Sequence, residues 1–357
     1  MMPQVDLTKL SREYLKSYYS INSYIGCTIN CGYCFLAPLD IIPMRPVQIM
    51  QEEQLITDML NDPLFAAGET VLSLNNRTDP FISPAVKAST FRLMDEMEAR
   101  KLRNLVTVTT KGLLTGEDAA RLASYRYIRP VIIVTYNGIP QNIQPISAEV
   151  QEKTMQNVAT QPTVGLLHQF RPIIPGVNDT QEIITKVVSF AKQYCRATIY
   201  QGLRINPSIK KRLEERDYNY QGKFDTHKQK SAHTDEIFSL LRAQNPTYPI
   251  YEHTSCCLSH MLQMPDYNQH YSKMNCPATC PNYLLCHSPV SLPEIDLQTA
   301  LQKIGVSSPW HTEGDTLYID GGLTDEQKSY IKHILHRKVH AAARENTYSE
   351  KIMEGQV

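Results

Sequence analysis

Gly26-Cys27-Thr28-Ile29-Asn30-Cys31-Gly32-Tyr33-Cys34 gathers three cysteines into one short stretch of a 357-residue chain that has nine in all. Four thiolates would close a tetrahedral zinc site, and the C-x3-C-x2-C spacing is not the C-x2-C pair of a zinc knuckle. A zinc ion would therefore need a fourth ligand from far along the chain. Three thiolates suit an iron-sulfur cluster whose remaining iron is left open to a small molecule. The segment just before them, residues 20–26, reads as a strand, so the cysteines fall on the loop that follows it.

The composition narrows what such a loop could serve. Lys+Arg and Asp+Glu both number 36, so no charge excess marks a nucleic-acid binder or an anionic membrane surface. With 42% hydrophobic residues the chain can fill a full core, and its length fits one large α/β domain with an appendage. The opening MMPQVDLTKLSREYLKSYYS lacks the apolar run of a signal peptide, and no uncharged apolar stretch reaches the ~18 residues that span a bilayer. These features predict a cytoplasmic protein with no membrane partner. In a reducing compartment clustered cysteines are metal ligands or catalytic groups rather than disulfides, and the odd number agrees.

Strand-like runs recur at 20–26, 70–74, 104–109, 129–135, 164–174 and 197–203. Helical patterns at 49–61, 83–100, 115–124, 147–159 and 180–193 lie between them. Six strands alternating with helices describe an α/β barrel or part of one, a pattern that by itself is shared with a doubly wound sheet.

Cys27, Cys31 and Cys34, with the aromatic Tyr33 before the last of them, resemble the signature of the radical S-adenosylmethionine superfamily. The resemblance implies a partial (β/α)6 TIM-like barrel over residues 1–205. It also implies a [4Fe-4S] cluster on the three cysteines, with S-adenosylmethionine chelated by the open iron and an electron donor such as flavodoxin or ferredoxin. In that family the reduced cluster cleaves the cofactor to a 5'-deoxyadenosyl radical, which abstracts a hydrogen atom from the substrate.

The carboxyl ends of barrel strands carry the chemistry. After the second strand the family has a Gly-Gly-Glu-like segment, whereas this chain reads Leu74-Asn75-Asn76-Arg77-Thr78-Asp79-Pro80. Asn75 and Asn76 are either acceptors for the cofactor's ammonium or parts of an Asx turn before Pro80. Lys111, after the third strand, resembles the lysine that meets the cofactor carboxylate in the spore photoproduct lyase-like branch; the alternative is a solvated lysine. Thr135 and Asn137, at the end of the fourth strand, face the ribose hydroxyls on the first reading and form a plain turn with Gly138 on the second. Arg171 to Asp179, RPIIPGVND, resembles the family's segment after the fifth strand, with Ile174 and Gly176 placed against the adenine. Asn178-Asp179-Thr180 also reads as the N-cap of the next helix.

Five more cysteines lie between 256 and 286. Cys276, Cys280 and Cys286 are spaced C-x3-C-x5-C, with Cys256-Cys257 upstream and prolines (Pro277, Pro281) after two of them. The arrangement resembles SPASM or twitch auxiliary-cluster extensions, although its C-x3-C spacing is one residue longer than usual. The resemblance implies a C-terminal Cys-rich extension with a second, auxiliary [4Fe-4S] cluster on Cys257, Cys276, Cys280 and Cys286; a structural zinc is the alternative. Cys256 would then be spare, a candidate hydrogen donor to a substrate radical. Cys195 reads as a buried small hydrophobe, and His253, His260, His270 and His287 as structural.

The expected organisation is a barrel (1–205), a charged connecting segment (206–250), the Cys-rich region (251–290) and a small strand-helix region (291–357). The last carries a strand at Thr316 to Ile319, a Gly-Gly turn, a Thr324/Gln327 capping box and an apolar stripe of Tyr330, Ile331, Ile334, Leu335 and Val339. The expected function is hydrogen abstraction from a small-molecule or peptide substrate, for epimerisation, dehydration or oxidation. Nucleotide or nucleic-acid repair ranks second, with duplex DNA disfavoured by the balanced charge. A zinc-stabilised, non-catalytic binding module is the reading from another class.

Overall fold

The computed structural model describes residues 6–36, 45–219, 225–229, 232–272, 276, 278–288 and 295–343. Its frame is a sheet of parallel strands alternating with helices. The strands are β1 (Arg12–Leu15), β2 (Tyr18–Ile21), β3 (Tyr24–Ile25), β4 (Val47–Gln48), β5 (Leu72–Leu74), β6 (Leu105–Thr110), β7 (Arg129–Thr135), β8 (Gly165–Ile173), β9 (Thr198–Ile205), β10 (Asp225–Gln229) and β11 (Ile250–Tyr251). The helices of this part are α1 (Glu52–Leu60), α2 (Pro84–Ala99), α3 (Gly116–Ser124), α4 (Ala148–Ala159), α5 (Gln181–Ala191), α6 (Pro207–Glu214), α7 (Ala232–Gln244) and α8 (Thr254–Leu262).

The sheet runs β1-β2-β5-β6-β7-β8-β9-β10, with β11 also on β9. From β2 to β9 every neighbouring pair is parallel, which matches the six expected strands. β1 and β10 close the two edges in antiparallel pairing, so the sheet is a partial barrel with ends that do not meet.

Local sequence explains the alternation. Ser83, Thr115, Ser147, Thr180 and Asn206 each accept a backbone N–H at the start of a helix, and Pro84 and Pro207 occupy first-turn positions where the missing N–H costs nothing. Along the strands, side chains alternate between the helices and the barrel interior. Leu72, Leu74, Val106, Val108, Ile132, Val134, Leu166 and Phe170 belong to the outer core under the helices. Val71, Leu105, Val131, Ile133, Leu167 and Ile199 face inward. Cys257 and Leu258 of α8 pack on that inner layer, and a Cβ on Gly165, at the start of β8, would stand 2.7 Å from Met261 Cε. Helix α8 therefore plugs the amino-terminal end of the barrel.

Three features differ from the sequence reading. The first strand ends at Ile21, and Tyr24–Ile25 pairs instead with β4 as a separate ribbon. Helix α6 of the connecting segment is docked rather than simply exposed, with Ile209 and Leu213 buried; residues 220–224 and 230–231 of that segment lie outside the described residues.

The third difference is at the C-terminus. Short helices α9 (Tyr283–His287) and α10 (Leu297–Lys303) lead to a sheet of β12 (Trp310–Glu313), β13 (Thr316–Leu323) and β14 (Lys338–Ala343), with helix α11 (Asp325–His333) between the last two strands. Gly321-Gly322 lies inside β13, not in a turn, and Val339 is on β14 because the helix stops at His333. The Thr324/Gln327 capping box forms as expected, and Tyr330, Ile331, Ile334 and Leu335 are buried. Among the described residues no helix is long and apolar enough to cross a membrane.

Candidate functional site

The loop of Cys27, Cys31 and Cys34 leaves β3 at Gly26, whose φ of 94° only glycine adopts at little cost and whose N–H donates to the Arg77 carbonyl at 3.0 Å. Asn30 also has a positive φ, 56°, a conformation asparagine tolerates. Two arginines of the α6 region hold this turn. Arg212 donates to the Asn30 side-chain oxygen and to the Cys31 carbonyl at 3.1 Å, while Arg216 donates to the Asn30 carbonyl at 2.9 Å. Gly32 lies so close to Arg216 that a Cβ would stand 2.9 Å from its Cδ. The sequence reading missed both arginines, since nothing in the α6 pattern points to the cysteine loop.

The three cysteines share one apolar cluster with Ile29, Tyr33, Ile139, Ile174 and Leu203. Burial pushes the Cys27 thiol up to about 12, with nearby Asp79 adding to it and Lys111 opposing it. Burial also raises Cys31, again against the pull of Lys111. Lys111 follows β6. Burial alone would lower its pKa, but Cys31, Asp79, Cys27 and Cys34 together outweigh burial and hold it above the ordinary lysine value. Its ammonium lies 5.9 Å from the centre of the Tyr33 ring. Its amide donates to Asp79 at 2.6 Å, and the other Asp79 oxygen accepts from Thr110 Oγ1 at 2.7 Å and the Phe81 amide at 3.1 Å. Tyr33 is buried with its hydroxyl donating to Gln144.

Asn137, Ile174 and Gly176 come together at the same rim. Asn178 donates to the Asn137 carbonyl at 2.8 Å and to the Pro172 carbonyl at 3.0 Å, tying the turns after β7 and β8 to each other. Gly176 has a φ of 73°, with open space where a Cβ would be. Thr135 faces the barrel interior and donates to Gln169 at 3.1 Å. Asn75 sits apart from these. It is fully buried, accepts from the Ser23 amide at 2.9 Å and donates to Thr90 of α2 at 2.9 Å, so its side chain fastens the strand end. Asn76 accepts from Ser20 at 2.9 Å.

At the plugged end, α8 turns its two adjacent cysteines to different sides. Cys257 is fully buried in the inner core and close enough to raise the pKa of Cys195. The sequence reading made Cys257 the fourth ligand, but it is Cys256 that shares an environment with Cys276, Cys280 and Cys286. Burial pushes the Cys256 thiol far up, with Asp266 and those three cysteines adding to it. Cys256 also forms, with Asp266 and His270, a set whose ligand atoms all lie within 4.8 Å of one another. His270 Nδ1 is 2.8 Å from Asp266, the Asp266 amide donates to Cys286 Sγ at 3.4 Å, and the second Asp266 oxygen is buried without a hydrogen-bond partner among the described residues. Pro277 lies outside the described residues. Cys256 therefore stands at the amino-terminal end of the barrel, away from the Cys27 loop, which does not suit the hydrogen-donor role at the mouth.

The fold recurs in solved structures. A double mutant of spore photoproduct lyase with bound AdoMet and dinucleoside spore photoproduct superposes with a TM-score of 0.52 at 15% sequence identity, over 68% of this chain and 80% of that one. A single-site mutant of the same enzyme gives 0.51 at 14% identity, over 67% and 78%. Spore photoproduct lyase complexed with dinucleoside spore photoproduct gives 0.50 at 16%, over 68% and 78%. At these identities the likeness is one of fold. No family model and no curated protein matches the sequence.

Proposed function

We propose that the chain is a radical S-adenosylmethionine enzyme acting on a small metabolite or peptide. The observation that carries this reading is the grouping of Cys27, Cys31 and Cys34 in one apolar cluster at the carboxyl end of the parallel strands, with half-buried Lys111 as their cation. The donor set fits a [4Fe-4S] cluster: three soft sulfur donors, of which burial keeps Cys27 and Cys31 protonated until a metal displaces the proton, with one iron left for the cofactor. That group, reduced by a donor such as flavodoxin or ferredoxin, would supply the electron that cleaves S-adenosylmethionine to a 5'-deoxyadenosyl radical.

The chain's own residues bind and orient. Lys111 is placed to meet the cofactor's carboxylate as a point charge. Ile174 and the Gly176 turn give the adenine an apolar wall and exposed backbone groups, and Asn137 fixes that wall against β7. Tyr33 and the surrounding isoleucines keep water from the thiols.

The second cysteine group is proposed to hold an auxiliary [4Fe-4S] cluster through Cys276, Cys280, Cys286 and Cys256, Cys256 taking the place first given to Cys257. A zinc ion on Cys256, Asp266 and His270 is the competing occupant. The likeness in fold to spore photoproduct lyase favours a nucleotide substrate as the second reading, against which the balanced charge weighs for duplex DNA.

The test is replacement of Cys27, Cys31 and Cys34 together by Ala. Anaerobic wild type, once reduced, should convert S-adenosylmethionine to 5'-deoxyadenosine and the triple variant should not. Equal conversion by both would end this reading, and a colourless wild type carrying only zinc would favour a binding module.

A further inference from the structure

The barrel interior is open above its apolar floor. On the inner face of β6, Leu105 and Thr107 are buried, whereas Thr109 and Lys111, next along that face, are half-buried. Strands flank β6 on both sides and helices cover its other face, so this exposure is to the interior. The register sets Thr110 beside Val134 and Thr135 beside Gln169, so Gln169 of β8 stands at the level where Lys111 leaves β6. Gln169 is 7% exposed. Thr135 Oγ1 donates to its Oε1 at 3.1 Å, which leaves its Nε2 without a hydrogen-bond partner among the described residues.

A second glutamine, on the neighbouring strand, is held the opposite way round. Gln169 lies opposite Ile199 and Phe170 opposite Tyr200; the register slips only beyond them, and the extra residue is on β8, because Ile173 opposes Gly202. β9 therefore runs on regularly, and Gln201 keeps the inner face between Ile199 of the inner core and Leu203 of the cysteine cluster. Strands lie ~4.8 Å apart and two residues rise ~6.6 Å, so the α-carbons of Gln169 and Gln201 stand ~8 Å apart on one face. Gln201 is 3% exposed, and its Nε2 donates to the Glu252 carbonyl at 3.0 Å. A carbonyl only accepts, so this amide cannot turn over, and its Oε1 is buried with no partner among the described residues. A buried acceptor left unmet is destabilising.

We propose that Gln169 and Gln201 determine substrate specificity by reading a neutral group with a hydrogen-bond acceptor beside a donor: an amide, lactam or imide. Gln169 Nε2 donates to the group's carbonyl, and Gln201 Oε1 accepts from its N–H. Each glutamine is oriented by its own partner in the protein, so an ionised carboxylate in the same place would set an oxygen against Gln201 Oε1. The pair deepens the reading above, on which it rests only for calling the ligand a substrate. The adenine of the cofactor, with its amino group beside a ring nitrogen, is the other source of the same edge chemistry.

The test uses the full chain with succinimide as probe, against N-methylsuccinimide, which has the same carbonyls and no N–H, and reads the thermal midpoint. Succinimide should raise the wild-type midpoint saturably above its value in N-methylsuccinimide. Gln201→Met removes the acceptor, and Gln169→Glu replaces the donor while keeping the oxygen that Thr135 meets. Each should weaken the apparent succinimide affinity about tenfold or more. Equal wild-type midpoints in the two imides overturn the proposal, as does a smaller loss in either variant; should Gln201→Met fail to fold, Gln169→Glu alone decides. Equilibrium dialysis of S-adenosylmethionine on the reconstituted chain separates the two sources. Affinity retained in both variants leaves the edge to the substrate, and a tenfold loss in either gives it to the adenine and overturns the proposal. The imide melts involve neither cluster nor cofactor, so a wild type that fails to cleave S-adenosylmethionine would defeat the proposed function and leave their result standing.

Discussion

The guanidinium of Arg212 donates to the carbonyl of Cys31 at 3.1 Å across 181 residues of sequence, so the start of the connecting segment is a clamp on the cysteine loop. Arg216 completes it through the Asn30 carbonyl. Hydrogen bonds from a charged donor contribute ~1.5–3 kcal/mol each, and here they hold a turn with a positive φ. We expect Arg212→Ala with Arg216→Ala to lose cluster iron to a chelator on the order of tenfold faster than wild type. Iron release at the wild-type rate would show that the clamp is incidental.

Gly112 has its α-carbon against the next loop, and a Cβ there would stand 2.7 Å from the Phe81 carbonyl carbon and 3.0 Å from Asp79 Oδ1. Backbone cannot yield as a flexible side chain does, so Gly112→Ala should destabilise by ~1–3 kcal/mol. It should also displace Asp79 from the Lys111 amide and weaken S-adenosylmethionine binding. Chemical denaturation with equilibrium dialysis of the cofactor measures both, and wild-type values in both would refute the argument.

His168 gives a pH dependence. Its Nε2 donates to the Tyr136 carbonyl at 2.6 Å and its Nδ1 accepts from Thr198 Oγ1 at 2.9 Å, so the neutral ring is satisfied on both sides. Burial lowers its pKa to about 4. The unfolded chain takes up this proton near 6.5 and the folded one only near 4, so the stabilisation is full above 6.5 and is lost as pH falls between those values. At ~1.4 kcal/mol per pH unit the loss approaches roughly 3 kcal/mol. Unfolding free energies from pH 7.5 to 5 should fall less steeply for His168→Gln than for wild type; parallel curves would contradict this.

The strands and helices were legible because their apolar periods are local: VGLLHQFRPII forms β8, the helical patterns starting at 83 and 115 become α2 and α3, and Thr180 caps α5 as the Asn178-Asp179-Thr180 reading places it. The contacts that assemble the sites are not local. Nothing in KKRLEER distinguishes arginines in solvent from arginines on a loop 181 residues away. Asn75 reads as either a cofactor group or part of an Asx turn because it follows a strand, and only the fold shows that Ser23 and Thr90 engage its side chain.

Cys256 and Cys257 show the same limit most sharply. Adjacent residues on a helix point ~100° apart, so one can face the core and its neighbour a cysteine group, and sequence alone does not say which. Cys257 is fully buried beside Leu258, whereas Cys256 lies with Cys276, Cys280, Cys286 and Asp266. If these thiols hold a second cluster, wild type reconstituted without air should carry about eight irons per chain, two clusters of four. Cys256→Ala should then retain about half of that iron and still form 5'-deoxyadenosine slowly. Cys257→Ala should keep all eight, with only the ~1 kcal/mol loss of a small buried group. Loss of iron in Cys257→Ala alone would return the ligand role to that residue. One zinc per chain that disappears with Asp266→Ala would show a single-ion site in place of the cluster.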